Sequence, residues 1–210
     1  MHAPSPKLSN EDLRRAALIC FRNARELLLD SELLLCSKRW PRSIFLTCLG
    51  LEELGKASLC LTLCETGESI ETKERVTDFW RCWRCHLSKG AWGQGYVAWN
   101  PEVLQRLAAL YLPDGYEDWN HYESDKRDFY GRYSEITNAI KMASLYVDVL
   151  RPRSNSKSIS FRLPSATLKE DFARRMWLEL KERVDDVAPQ MEKLGRLNLP
   201  PYPPDMDLWQ

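Results

Sequence analysis

The chain has 210 residues, of which 44% are hydrophobic and 29% charged, with 30 Lys+Arg against 30 Asp+Glu, three His and seven Cys. That balance excludes a uniformly basic protein drawn to nucleic acid or membrane by net charge, and the length suffices for a core without a disulfide or metal staple. One domain is expected, residues 10–194, between an N-terminal tail at 1–9 and a Pro-rich C-terminal tail at 195–210.

The first helix is expected from Asn10, with Glu11 and Asp12 in its opening turn. Leu13, Ala16/Ala17, Cys20, Ala24, Leu27 and Leu34/Leu35 recur at helical spacing to about Ser37. Pro41 suits the first turn of a second helix, which Ile44, Cys48, Leu51, Leu54, Leu59 and Leu63 carry to about Glu65 before Gly67. The short connection implies an antiparallel pair. A third helix is expected from Thr72–Asp78 through Phe79-Trp80-Arg81-Cys82-Trp83-Arg84-Cys85-His86 to about Lys89. Beyond it lie a short helix at Pro101–Leu112, a polar loop at Pro113–Asp125 and a long helix at Lys126–Val149. A Ser-rich basic connector spans Arg151–Pro164, and a last helix runs from about Ser165 to Leu194. No stretch alternates with period two, so the fold class is all-α, a helical bundle.

Cys20, Cys36, Cys48, Cys60 and Cys64 fall in apolar-periodic stretches where a thiol packs as a small hydrophobe, and an odd cysteine count fits a reducing, cytoplasmic setting. Met1–Ser9 lacks a signal-like pattern. Ile44–Cys64, the longest apolar candidate, is broken by Glu52, Glu53 and Lys56, so no membrane association is expected.

The segment Phe79–Lys89 contains no acid, and it combines Trp80, Trp83, Arg81, Arg84, His86 and Lys89. A histidine that exchanges a proton near neutral pH and a permanently charged Arg fork that holds a phosphate are what metal-independent RNA cleavage needs. Arg81 and His86 are therefore the candidate catalytic pair. Asp78 is placed to orient Arg81, and Arg84, Lys89 and Trp83 are placed to contact substrate. On a straight helix five residues at about 100° each put Arg81 and His86 about 140° apart, which the long Arg side chain, a distorted helix end or a two-fold dimer axis resolves. The alternative is a half-buried bundle helix with Trp and Cys inward and Arg and Lys in solvent.

Cys82-Trp83-Arg84-Cys85-His86 also matches the c-type haem attachment pattern. Cys82, Cys85 and His86 with Cys60 or Cys64 form a conceivable zinc set. Neither has a supporting export signal or second ligand motif, and no cofactor is expected. Glu52-Glu53-Leu54-Gly55-Lys56 sits in mid-helix, a costly place for Gly and for buried charge. Gly55 is read as a point of close helix approach, and Glu53 with Lys56 as a surface pair or as support for a site. From Val149 to Lys169 there is no Asp or Glu but Arg151, Arg153, Lys157, Arg162 and Lys169. RNA binding in a neutral protein must be local to such stretches, with a shallow salt dependence.

Four segments in order resemble the AbiV-type abortive infection proteins, a branch of the HEPN superfamily. They are Asn23-Ala24-Arg25-Glu26-Leu27-Leu28 with Asp30–Leu35, Glu52-Glu53-Leu54-Gly55-Lys56-Ala57, the Trp80–Lys89 segment, and Ser144-Leu145-Tyr146-Val147-Asp148. The resemblance implies a HEPN-like antiparallel bundle, a homodimer, and Arg81 and His86 at the superfamily's Arg-x4-6-His ribonuclease motif. Glu53, Lys56 and Asp78 would support that pair. It also implies RNA as substrate, a phage-encoded activator protein as a candidate trigger, and arrest of the infected cell. The rival reading is a non-catalytic helical module that blocks translation or senses a phage protein.

Overall fold

A computed structural model describes residues 8–66, 70, 72–85, 137–145, 148–150 and 160–195. Helices α1 (Asn10–Cys36) and α2 (Trp40–Thr66) form a long antiparallel pair, as their short connection requires. At one end the Ser31 hydroxyl lies 3.0 Å from the Ser43 carbonyl oxygen and 2.7 Å from Thr47 Oγ1. At the other end Cys64 Sγ lies 3.9 Å from the Asn10 carbonyl oxygen.

The first helix begins at Asn10, as expected, and Ser9 caps it. Ser9 accepts from the Asp12 amide at 3.1 Å, and Asp12 accepts from the Ser9 amide at 2.9 Å. The reciprocal cap needs an acceptor three residues on. Ser9 has Asp12 there, whereas Asn10 has Leu13. The chain reverses through Lys38, whose φ of 58° lies in the left-handed region, and the Arg39 amide closes the turn on the Leu34 carbonyl at 2.8 Å.

Helix α3 (Lys73–Arg84) follows, then a helical segment at 137–145. Strands β1 (Asp148–Leu150) and β2 (Ser160–Arg162) pair antiparallel with Val149 opposite Phe161. A single turn α4 (Pro164–Thr167) leads into α5 (Glu170–Leu194), which packs across both α1 and α2.

Two expectations are corrected here. Asp148 and Val149 belong to a strand rather than to the end of a helix, which fits the β-branched Val147 and Val149 and the helix-incompatible Pro152 soon after. The last helix is broken at Leu168 and Lys169, both extended, because Leu168 turns its side chain into the core. The expected helix at Pro101–Leu112, the loop at Pro113–Asp125 and the start of the helix at Lys126–Val149 lie outside the described residues, as does most of the Arg151–Pro164 connector.

The core is one cluster from all three long helices. It includes Leu13, Phe21 and Leu28 of α1, Ile44, Leu51 and Leu54 of α2, and Met176, Leu180 and Val184 of α5. Gly50 admits a neighbouring helix. A Cβ on Gly50 would stand 2.5 Å from Leu180 Cδ2 and 3.6 Å from the Ala24 carbonyl oxygen. Gly55 is buried in α2.

Cys20, Cys48 and Cys60 are buried as expected, Cys64 is partly buried, and Cys36 is exposed, against expectation. Cys36 ends α1, where the apolar face has already turned away. Burial pushes the thiols of Cys20, Cys48 and Cys60 up to about 12. An unfolded thiol ionises at about 8.5, so above that pH the unfolded state binds fewer protons than the folded one. Stability is therefore full below about pH 8.5 and falls as pH rises toward 12. In urea titrations the midpoint should hold from pH 7 to 8 and drop at pH 10. At pH 8 iodoacetamide should label native Cys36 first, and Cys20, Cys48 and Cys60 only after denaturation; early labelling of the latter three would contradict the packing.

Candidate functional site

Helix α3 carries the candidate residues, and its sequence explains its pose. Thr72 caps it, accepting from the Arg75 amide at 3.3 Å, and Glu74 in the first turn with Arg81 and Arg84 in the last complement the helix dipole. Val76 and Phe79 are buried, and Trp80, Cys82 and Trp83 are half-buried against the core. Asp78, Arg81 and Arg84 face solvent.

The three aromatic rings form one cluster. Phe79 stacks on Trp83 with centroids 5.2–5.4 Å from its two partners, Trp80 meeting it edge-on, and Trp80 meets Trp83 edge-on at 6.2 Å. The cluster is bracketed by two cations. Lys56 Nζ of α2 lies 5.4 Å from the Trp83 ring centroid, and the Arg84 guanidinium 5.8 Å from that of Trp80. Such contacts are favourable because the ring face is electronegative.

Lys56 is also held by Glu53 Oε1 at 2.5 Å, with both side chains less than a fifth exposed. Cys20 of α1 lies beside this pair: burial is the main cause of its raised pKa, Glu53 adds to it, and Lys56 opposes it. Glu53, Lys56 and Trp83, chosen from separate parts of the sequence, thus meet at one place. Arg81 Nη2 lies 3.0 Å from Asp78 Oδ1, and the two side chains are 74% and 61% exposed.

Helix α3 ends earlier than expected. Cys85 is its cap in extended conformation, with its amide on the Arg81 carbonyl at 3.0 Å. The 140° separation that applies to a straight helix at about 100° per residue therefore stops short of His86. His86 and Lys89 lie outside the described residues. So does the third ligand of the Cys82, Cys85 and His86 zinc set; among the described residues no three His, Cys, Asp or Glu side chains converge as metal ligands. Among them, too, no helix is long and apolar enough to cross a membrane.

Sequence reasoning missed a second charge pair. Glu52 accepts from Lys141 of segment 137–145, and the side chains are only 9% and 7% exposed. Cys48 lies beside them: burial is the main cause of its raised pKa, Lys141 lowers it, and Glu52 and Glu179 raise it. Glu179 and Arg183 of α5 are buried as well. A signal existed for Glu52, which stands one helical turn after Cys48 on the same inward face. Lys141 sits beside the buried Ile140, but nothing in its own neighbourhood names its partner.

The HEPN_AbiV family model, described as AbiV, matches residues 12–184. The match takes in α1, α2, α3 and most of α5, and so extends past the Asp148 limit of the motif resemblance. No curated protein matches the chain. No solved structure matches it either.

Proposed function

The chain belongs to the AbiV family of HEPN proteins, whose name points to abortive infection defence, and from that premise we propose that it is a metal-independent endoribonuclease toxin that halts the infected cell. Arg81 binds the scissile phosphate and offsets the charge that develops on it. His86 takes the proton of the ribose 2′-hydroxyl, or gives one to the leaving oxygen, and the product end is a 2′,3′-cyclic phosphate. Arg84 and Lys89 add phosphate contacts, Trp83 lines the substrate side, and a homodimer brings two copies of the motif together. RNA is the substrate, and a phage-encoded protein is the trigger.

The observation that carries this reading is the state of Arg81. Its side chain is 74% exposed and, among the described residues, its guanidinium pairs with Asp78 at 3.0 Å. An exposed pair of this kind contributes about 0–1 kcal/mol, so a phosphodiester displaces the carboxylate at little cost. The opposite side of the same helix buries Val76 and Phe79 and half-buries Trp80 and Trp83 against the core, while Arg81 and Arg84 face solvent.

The test is cellular RNA incubated with purified protein in excess chelator. Wild type should fragment it, and His86→Ala should not. Intact RNA in the wild-type reaction, or equal fragmentation by the variant, removes the ribonuclease reading and leaves a binding module.

A further inference from the structure

Cys82 and Cys85 match two cofactor patterns in the sequence, and the proposed function uses neither thiol. They stand at the C-terminal end of α3: Cys82 is in its last turn, half-buried against the core, and Cys85 is the half-buried cap, both with free thiols. A spacing of three residues puts them on one side of the helix, just as Arg81 and Arg84, also three apart, share the solvent side. Three residues of α-helix separate Cα atoms by about 5 Å, inside the window of about 4.4–6.8 Å that a disulfide spans. The Cβ atoms, about 5–6 Å apart at this spacing, are too far by about 1 Å. The turn must tighten before the sulfurs meet.

We propose that Cys82 and Cys85 form a disulfide under hydrogen peroxide and that this disulfide switches the α3 site off. One thiolate attacks a peroxide oxygen; the O–O bond breaks, a sulfenic acid forms, and the other oxygen leaves as water after taking up a proton. The second thiol then attacks the sulfenic sulfur, the S–S bond forms, and the sulfenic oxygen leaves as a second water. Two thiols and one peroxide thus give one disulfide and two waters. The last turn is free to tighten because Cys85 has already left helical geometry, with a ψ of 116°. Its amide, on the Arg81 carbonyl at 3.0 Å, passes to the Cys82 carbonyl as the turn becomes 3₁₀, in which residues three apart eclipse. Three residues turn about 300° in an α-helix and about 360° in a 3₁₀-helix. The chain therefore leaves Cys85 rotated by about 60° relative to Arg81, and the next residue is His86.

The disulfide follows from the geometry of α3, and its effect on cleavage rests on the function proposed above. The test reads both. The full chain is treated with hydrogen peroxide, the remaining thiols are blocked with iodoacetamide, and the protein is digested with trypsin. Trypsin cuts after Arg81, Arg84 and Lys89, so the disulfide should join peptide 82–84 to peptide 85–89, and dithiothreitol should separate them. On a non-reducing gel the oxidised chain should keep its single-chain size. Oxidised protein should cut RNA about 10²-fold more slowly, the cost of misplacing a reacting group by about 1 Å, and dithiothreitol should restore the rate. Cys82→Ser and Cys85→Ser should each cut RNA as reduced wild type does and keep that rate after peroxide.

A sulfinic acid or a blocked thiol at either cysteine in place of the linked peptides overturns the proposal, and so does a linked protein that cuts RNA at the reduced rate. Should Cys82→Ser fail to fold, Cys82→Ala buries no hydroxyl and is read in the same way. If reduced wild type does not cut RNA, the proposed function fails, while the linked peptides and the 15N amide resonances of Arg81 and Arg84 still decide the switch. Those resonances should move on oxidation, and a linked protein in which they stay in place overturns it.

Discussion

Alanine at Glu52 should cost the folded state about 3–5 kcal/mol, because it leaves the Lys141 ammonium buried without its carboxylate. Both side chains are less than a tenth exposed, and they join α2 to segment 137–145 across the core. The gain from a buried pair is largely offset by the desolvation of both ions, whereas breaking it from one side forfeits the attraction and keeps the cost. Lys141→Ala should therefore be about as damaging as Glu52→Ala. Replacing both partners with apolar residues of similar volume, Glu52→Leu with Lys141→Met, should recover most of the loss. Urea denaturation of the four proteins at pH 7 forms a double-mutant cycle. Single variants within about 1 kcal/mol of wild type would mean that water reaches the pair, contrary to its burial.

Alanine at Arg81 should lower RNA cleavage by about 10²–10³-fold, the usual effect of removing one donor aimed at developing charge. It should leave stability within about 0.5 kcal/mol, since the side chain is largely in solvent. Lys in its place restores the charge but not the two-pronged fork, so Arg81→Lys should stay well below wild type. Asp78→Asn should change cleavage little, because the carboxylate is only a resting partner at the exposed surface. The pattern separates a phosphate-binding role from a structural one. A structural Arg81 would lose stability and activity together, and Asp78→Asn would follow it.

Much of the fold was readable in the chain because its helices obey local rules. The inward faces of α1 and α2 follow from apolar spacing, and Leu13, Ala17, Cys20, Ala24, Ile44, Cys48, Leu51 and Leu54 are all buried. The misreadings arise where a distant element decides. Gly50, which local spacing does not single out, admits α5 where Leu180 crosses. Leu168 breaks the last helix because the core accepts its side chain. Val149 joins a strand because Phe161 stands opposite it.

The candidate site divides in the same way. Glu53 with Lys56, and Asp78 with Arg81, are pairs three residues apart, and helical spacing alone foretells them. The contact of Lys56 with Trp83 and the pairing of Glu52 with Lys141 join segments far apart in sequence. No local pattern encodes them. The neutral total of 30 against 30 charges likewise hides an arrangement in which, among the described residues, Arg81 and Arg84 stay outward while Glu52, Lys141, Glu179 and Arg183 are taken into the interior.

The most direct measurement is the chemistry of the new RNA ends made by wild type in excess chelator. A 2′-hydroxyl attack assisted by His86 and held by Arg81 predicts 2′,3′-cyclic phosphate on one fragment and a 5′-hydroxyl on the other, and no such ends with His86→Ala. Fragments ending in a 3′-hydroxyl, or cyclic phosphate ends formed equally by His86→Ala, would contradict it.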